Sequence, residues 1–397
     1  MKAYAAAKNS SKLDVGHLTA AAETATGLSD WGKDQSFRIG LEKLVESMNG
    51  MDAPDSLVQQ AGMRLTGSLM TRLHFVDDEK RHPEILEEKI ERPLVIVGLP
   101  RTGTTITYDL LALDPAARAP RNWEFAMPWP APEIATWDSD PRIAQLDAIF
   151  AHLLQGAPKL ADIQDIEARA CAECNLAFTH HFASTQFPAE WGMISYGKWL
   201  RENPSVPGRY ATHKRLLQQL QWKGPRGRWT LKSPEHLCTI EELLEAFPGA
   251  CLVWTHRDPV SAFSSLSSML NEFRKAAGVK EDPIAVGRYV MDTWSNALEH
   301  ATDVRNRKPQ VDAAVIDISH KEVIADRIDV VKRIHRYFKL PFTAEHETAL
   351  HGAAMKSISR RLGKHTHKPE DFGIAREEVR ALLPKYLARF GYLFDEK

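Results

Sequence analysis

A chain of 397 residues with 43% hydrophobic composition can bury a large core, so its folding requires neither disulfides nor metal. Its 51 basic and 52 acidic residues leave a formal net charge of −1, which excludes a global field that would attract nucleic acid or an anionic membrane. No apolar run reaches the roughly 18 residues needed to span a bilayer, and Met1 to Ser11 is polar without the apolar stretch of a secretory leader. A cytoplasmic protein with a local anion site is expected.

In chain order, apolar positions from Leu18 to about Leu73 recur at three and four residues (Ile39, Leu41, Leu44, Val45, Met48), the helical period. Residues 1–90 therefore read as a helical extension and residues 91–397 as an α/β domain. Leu94-Val95-Ile96-Val97-Gly98 is a short β-branched run of the kind buried in a parallel sheet, and a helix over Thr104 to Leu113 follows. Pro120 to Pro141, rich in Trp and Pro, is too interrupted for regular structure. Cys171 and Cys174 form a CxxC that lacks a second ligand pair, since Cys238 and Cys251 sit in apolar segments. It reads as one helix face with buried thiols over Glu167–Ala177 rather than a metal or redox site. Further strands are predicted at Arg228 to Leu231, Ala250 to Thr255 and Ala313 to Ile318, with helices at Ile240 to Ala246, Val323 to Phe338 and Arg376 to Arg389. Strand, helix and strand in alternation favour a P-loop-like parallel sheet flanked by helices.

The strongest local signal is Gly98-Leu99-Pro100-Arg101-Thr102-Gly103-Thr104-Thr105, between a buried strand and a helix. Glycines allow a tight turn, and the helix start offers unpaired amides to an anion. The GxxxxG spacing matches a nucleoside triphosphatase loop, but threonine follows Gly103 where lysine would be required, and the cation is Arg101. Three readings are weighed for this loop: a nucleotide-sulfonate site, a phosphoryl-transfer site, and a structural glycine turn.

The PRTGTT segment after an apolar strand resembles the 5′-phosphosulfate loop of the sulfotransferase superfamily that uses 3′-phosphoadenosine 5′-phosphosulfate (PAPS). His256-Arg257-Asp258-Pro259 through Ser265 resembles its 3′-phosphate segment, in which an arginine and a serine eight residues later hold the 3′-phosphate; Arg257 and Ser265 have that spacing. Together with GLSDWG, RHPEI, NWEFAMPWP, LKSPEHL and EDFGI, these segments resemble the large bacterial sulfotransferase group with a helical N-terminal extension. The resemblance implies PAPS as cosubstrate, no metal, and Arg101, Thr102, Gly103, Thr104, Thr105, Arg257 and Ser265 as cofactor contacts. From the basic loop Ser359 to Lys368, Lys364 and His365 are added as candidates that close over the 3′-phosphate, although the Arg-Lys-Gly pattern of the cytosolic branch is absent. His320 is a candidate for stacking on adenine.

Sulfuryl transfer is an in-line displacement that needs positioning, charge neutralisation and acceptor deprotonation. Arg101 is expected to stabilise the leaving group and Lys232 to contact the transferring sulfonate. Two bases compete. Glu124 lies among Trp123, Phe125, Met127 and Trp129, where desolvation could raise a carboxylate pKa. His236 lies in a segment resembling that of the cytosolic branch's catalytic histidine, but four residues after Lys232. Aromatics in two irregular stretches, the second including Trp191, Met193, Tyr196 and Trp199, point either to a small, largely apolar hydroxyl acceptor (phenol, sterol or lipid alcohol) or to ordinary core. The rival functions are a P-loop phosphotransferase and a catalytically silent nucleotide-binding protein. A homodimer is one option; nucleic acid and a membrane span are not expected.

Overall fold

The structure is a computed structural model that describes residues 12–162, 166–359 and 367–394. Three helices open the described chain: α1 (Val15–Thr26), α2 (Phe37–Gly50) and α3 (Asp55–Arg81). Asp14 caps α1 by accepting from His17 N, and Gly27 ends it in the left-handed conformation. These helices do not form a core by themselves. Leu41, Leu44, Leu65 and Leu69 pack with Phe182, Phe187, Trp191 and Tyr196, so a stretch far along the chain completes their apolar face. The contact is close: a Cβ on Gly40 would lie 2.2 Å from Phe182 O.

Five strands, β1 (Leu94–Gly98), β2 (Ala117–Arg118), β3 (Arg228–Lys232), β4 (Cys251–His256) and β5 (Val315–Ser319), form one sheet in the order β2-β3-β1-β4-β5. Every pairing is parallel. Alternation along the strands divides them between two cores: Val95, Val97, Leu252 and Trp254 enter one, and Leu94, Ile96, Cys251 and Val253 the other. A sheet buried on both faces explains why the strands read as continuous apolar runs. The expected α/β class, a parallel sheet flanked by helices, is the observed one. No helix among the described residues is long and apolar enough to cross a membrane.

The local differences have physical causes. β2 has only two residues, too short for a periodic signal. The expected helix over Arg376 to Arg389 is two helices, Arg376–Leu382 and Pro384–Phe390, because Pro384 has no N–H to continue the first. Glu167–Ala177 is not one helix: Cys171 pairs with Arg121 in an antiparallel bridge, and Cys174 begins a short helix, Cys174–Phe178. Burial pushes the Cys171 thiol up to about 12 and raises Cys174 as well, so both stay protonated at neutral pH.

Candidate active site

In a parallel sheet all strands deliver their carboxyl ends to one edge, where ligands bind. Here that edge carries the anion loop from β1, Lys232 from β3, Arg257 just after β4 and His320 just after β5. The loop's backbone requires its glycines. Gly98 has φ +133°, and a Cβ there would lie 2.6 Å from Thr255 Oγ1 on β4. Gly103, at φ +91°, precedes α4 (Thr104–Leu111), and a Cβ on it would approach His320 Cδ2 to 3.2 Å. Between them Arg101 adopts φ +70°, a left-handed conformation that costs a non-glycine residue of order 1 kcal/mol.

Thr102 braces this turn: its buried hydroxyl donates to Leu99 O at 2.7 Å and pairs with Thr255 Oγ1 at 2.7 Å. Gly103, Thr104 and Thr105 line the cleft above, where the first-turn amides of α4 have no intrahelical partners. Arg257 Nη1 donates to Arg101 O at 2.9 Å, and Arg101 Nε donates to Ser265 Oγ at 3.2 Å. Burial, and then the Arg257 charge, hold Arg101 below its ordinary pKa, and burial does the same to Arg257. Two partly desolvated guanidiniums beside a helix start form a site that an anion would stabilise, so the loop fits a nucleotide carrying two phosphate groups. His320, lowered to about 4 by burial and by Arg257, presents a neutral ring next to Gly103. Lys232 is 3% exposed; Nζ lies 3.4 Å from Thr105 Oγ1 and is ion-paired with Glu173. Ser264 Oγ is 2.7 Å from His367 Nδ1, which anchors the end of the late basic segment next to Ser265. Lys364 and His365 lie outside the described residues.

Neither residue expected to be the base lines the cleft. Glu124 is wholly buried as the third residue of α5 (Asn122–Ala126), and both of its oxygens are taken up. Arg118 grips them bidentately, Arg121 N donates at 2.9 Å, and Trp137 Nε1 donates at 2.9 Å. The aromatic surroundings expected to desolvate this carboxylate contribute a donor instead. His236 is also fully buried, with Nδ1 2.8 Å from the Tyr210 phenol Oη and its ring packed against Phe178 and His213. Burial drives its pKa well down, and it points into core rather than toward Lys232's cleft. Of the carboxylates that line the cleft, Asp109, Glu167, Glu173 and Glu190, it is Glu173 that pairs with Lys232, and the sequence did not single it out. Its placement comes from a long-range pairing: Asn122 N donates to Ala170 O, Trp123 N to Ala168 O and Ala172 N to Pro120 O. No local pattern encodes that pairing.

The cleft has a volume of about 2480 Å³. Of the aromatic stretches, Met127, Trp129, Trp137 and Trp191 line it, whereas Trp123, Phe125, Met193 and Tyr196 are core. Apolar side chains from three helices form part of its other walls, Met63 and Met70 of α3, Ile149 and Phe150 of Pro141–Gly156, and Leu266 and Met269 of Pro259–Ala276, among polar ones such as Gln60, Arg64 and Glu190.

A parallel sheet whose carboxyl edge joins a glycine-bounded anion loop to paired arginines and a lysine defines a nucleotide-dependent transferase of the P-loop-like α/β class. A family model described as the sulfotransferase family matches residues 93–344, and the chain belongs to that family. Two solved structures are similar over nearly the whole chain. Sulfotransferase STF1 from Mycobacterium tuberculosis H37Rv is 28% identical, with 95% of this chain and 99% of that one covered and a TM-score of 0.81. Sulfotransferase STF9 from Mycobacterium avium is 27% identical, with 96% and 97% covered and a TM-score of 0.85. A comparison with curated proteins finds no match. The protein is a sulfotransferase of the bacterial type, which sets aside the phosphotransferase and the catalytically silent alternatives.

Proposed function

We propose that the enzyme transfers a sulfuryl group from PAPS to the hydroxyl of an apolar acceptor of sterol or lipid-alcohol size. The observation that carries the donor assignment is the Arg101–Arg257 pair, linked through Arg101 O beside the start of α4. In this reading Arg257 and Ser265 hold the 3′-phosphate, and the amides and hydroxyls of Gly103, Thr104 and Thr105 hold the 5′-phosphate. His320 borders the adenine side. The donor supplies a sulfuryl group on a phosphate leaving group. Arg101 neutralises charge that builds on the bridging oxygen, and Lys232 does so for the sulfonate oxygens.

Glu173 takes the role of base. As the acceptor hydroxyl approaches, its proton passes to Glu173, the acceptor oxygen bonds to sulfur, and the bond from sulfur to the 5′-phosphate oxygen breaks. Lys232 holds Glu173 at the loop before that transfer. The acceptor's class follows from the apolar side chains of the cleft, whose 2480 Å³ would hold donor and acceptor together. Its methionine and leucine walls match a flexible hydrocarbon.

The first test is calorimetric titration with 3′-phosphoadenosine 5′-phosphate against magnesium ATP. Micromolar binding of the bisphosphate, lost in Arg257→Ala, is expected, and preference for magnesium ATP would overturn the donor assignment. Labelled PAPS is then presented with long-chain alcohols, a sterol and a simple phenol. Turnover of the phenol alone would overturn the acceptor class.

A further inference from the structure

Below the carboxyl edge, at the amino end of β3, three side chains far apart in sequence meet: Asp114, His335 and His346. Asp114 follows α4, His335 belongs to the helix Arg327–Tyr337, and His346 belongs to the helix Ala344–Ser359. They are 4%, 1% and 0% exposed. One ligand atom from each lies within 4.8 Å of the others. The rings of His335 and His346 are 5.1 Å apart, with Phe342 against both.

The hydrogen bonds fix what each ring offers. His335 Nδ1 is 2.7 Å from Pro341 O and His346 Nε2 is 3.1 Å from Leu110 O. A carbonyl only accepts, so each of those nitrogens carries the proton. The opposite nitrogens, His335 Nε2 and His346 Nδ1, are left as bare lone pairs, buried and without a hydrogen-bond partner among the described residues. Asp114 accepts from Ala116 N at 3.0 Å through Oδ1 and from Arg228 Nη2 at 2.8 Å through Oδ2, and each oxygen retains a second lone pair. Three acceptors thus converge in a buried space with no donor among them, and each is supported from behind in the manner of a metal ligand: imidazole by carbonyl, carboxylate by arginine.

We propose that Asp114, His335 and His346 bind a divalent transition-metal ion of the zinc class. Two imidazole nitrogens and one carboxylate suit zinc, whereas calcium and magnesium prefer oxygen ligands. Arg228 neutralises part of the Asp114 charge, which further disfavours a hard cation. The ion has no part in sulfuryl transfer: it ties the end of α4 to the helices Arg327–Tyr337 and Ala344–Ser359.

The test uses the full chain prepared without a polyhistidine tag and stripped with chelator, with zinc and cobalt(II) as probes. One zinc per chain is expected by competition with a chromophoric chelator, together with the visible d–d absorption of a four- or five-coordinate cobalt site. His346→Gln should weaken zinc by at least roughly 10–100-fold, while His351→Gln, an exposed histidine on the same helix, leaves it unchanged. Unchanged zinc affinity in His346→Gln overturns the proposal. Should that variant fail to fold, the native chain decides alone: substoichiometric zinc with no cobalt d–d band overturns it, because a histidine–aspartate hydrogen bond then accounts for the cluster. Bisphosphate binding is measured in parallel, so failure here is separable from failure of the donor assignment.

Discussion

Two short turns run side by side along one wall of the cleft, and each carries a glutamate at the start of a helix. In the turn Pro120–Trp123, leading into α5, Glu124 is enclosed by Arg118, the Arg121 amide and Trp137. In the partner turn Ala168–Ala172, leading into Cys174–Phe178, Glu173 has no cap bond, is about a quarter exposed and meets Lys232. The same functional group is enclosed by protein donors in one turn and open to the cleft in the other. What differs is the number of donors supplied to it. A carboxylate with every oxygen occupied from inside the protein would have to break a buried ion pair to accept a proton, whereas Glu173 exchanges one partner at an open cleft.

The sharpest way to break this comparison is to exchange amide for carboxylate in both turns. Glu173→Gln is expected to lower kcat by roughly 10²–10⁴-fold with bisphosphate affinity retained, measured by initial rates and calorimetry. Retained turnover in that variant would return the base to another group. Glu124→Gln should act on stability instead, costing about 3–5 kcal/mol in chemical denaturation because Arg118 is left buried without its countercharge. Its kcat per folded molecule should change much less than that of Glu173→Gln, and the reverse pattern would make Glu124 the base after all. A smaller effect of about 1.5–3 kcal/mol is expected for Trp137→Phe, which removes one donor from the buried carboxylate.

Acid should loosen the enclosed turn by a further route. His180 lies 2.7 Å from Phe125 O, next to Glu124, and burial lowers its pKa to about 4; His181 is also lowered to about 4 and His213 to about 3. The unfolded chain binds these protons first, near pH 6.5, so stability rises with pH between the folded and unfolded values. Denaturation at pH 7 and pH 5 should show a loss whose slope approaches about 1.4 kcal/mol per pH unit for each such histidine. His180→Asn should reduce that slope, and an unchanged slope would remove His180 from the account.

The chain's local code carried the anion site a long way. A β-branched run, a glycine-bounded loop with Arg101 and a following helix are readable because each rests on neighbours within a few residues: strand alternation, positive φ at glycine, unpaired amides at a helix start. Arg257 and Ser265 were singled out through the resemblance of one strand-to-helix junction, which carries both. The order of strands then brought Lys232, the loop, Arg257 and His320 to one edge, which adjacent parallel strands accomplish without further instruction.

The tertiary structure alone decided which carboxylate faces that edge. Glu124 drew attention through its aromatic neighbours, but its burial depends on where Arg118 and Trp137 end up, and Glu173 reaches Lys232 through the pairing of 120–123 with 168–172. The Asp114, His335 and His346 cluster is of the same kind, assembled by packing across three separate elements. Periodicity and turn chemistry report contacts of short sequence separation. Which distant side chains share a buried space is settled by the packing of whole elements, and the electrostatics of a site follow from that.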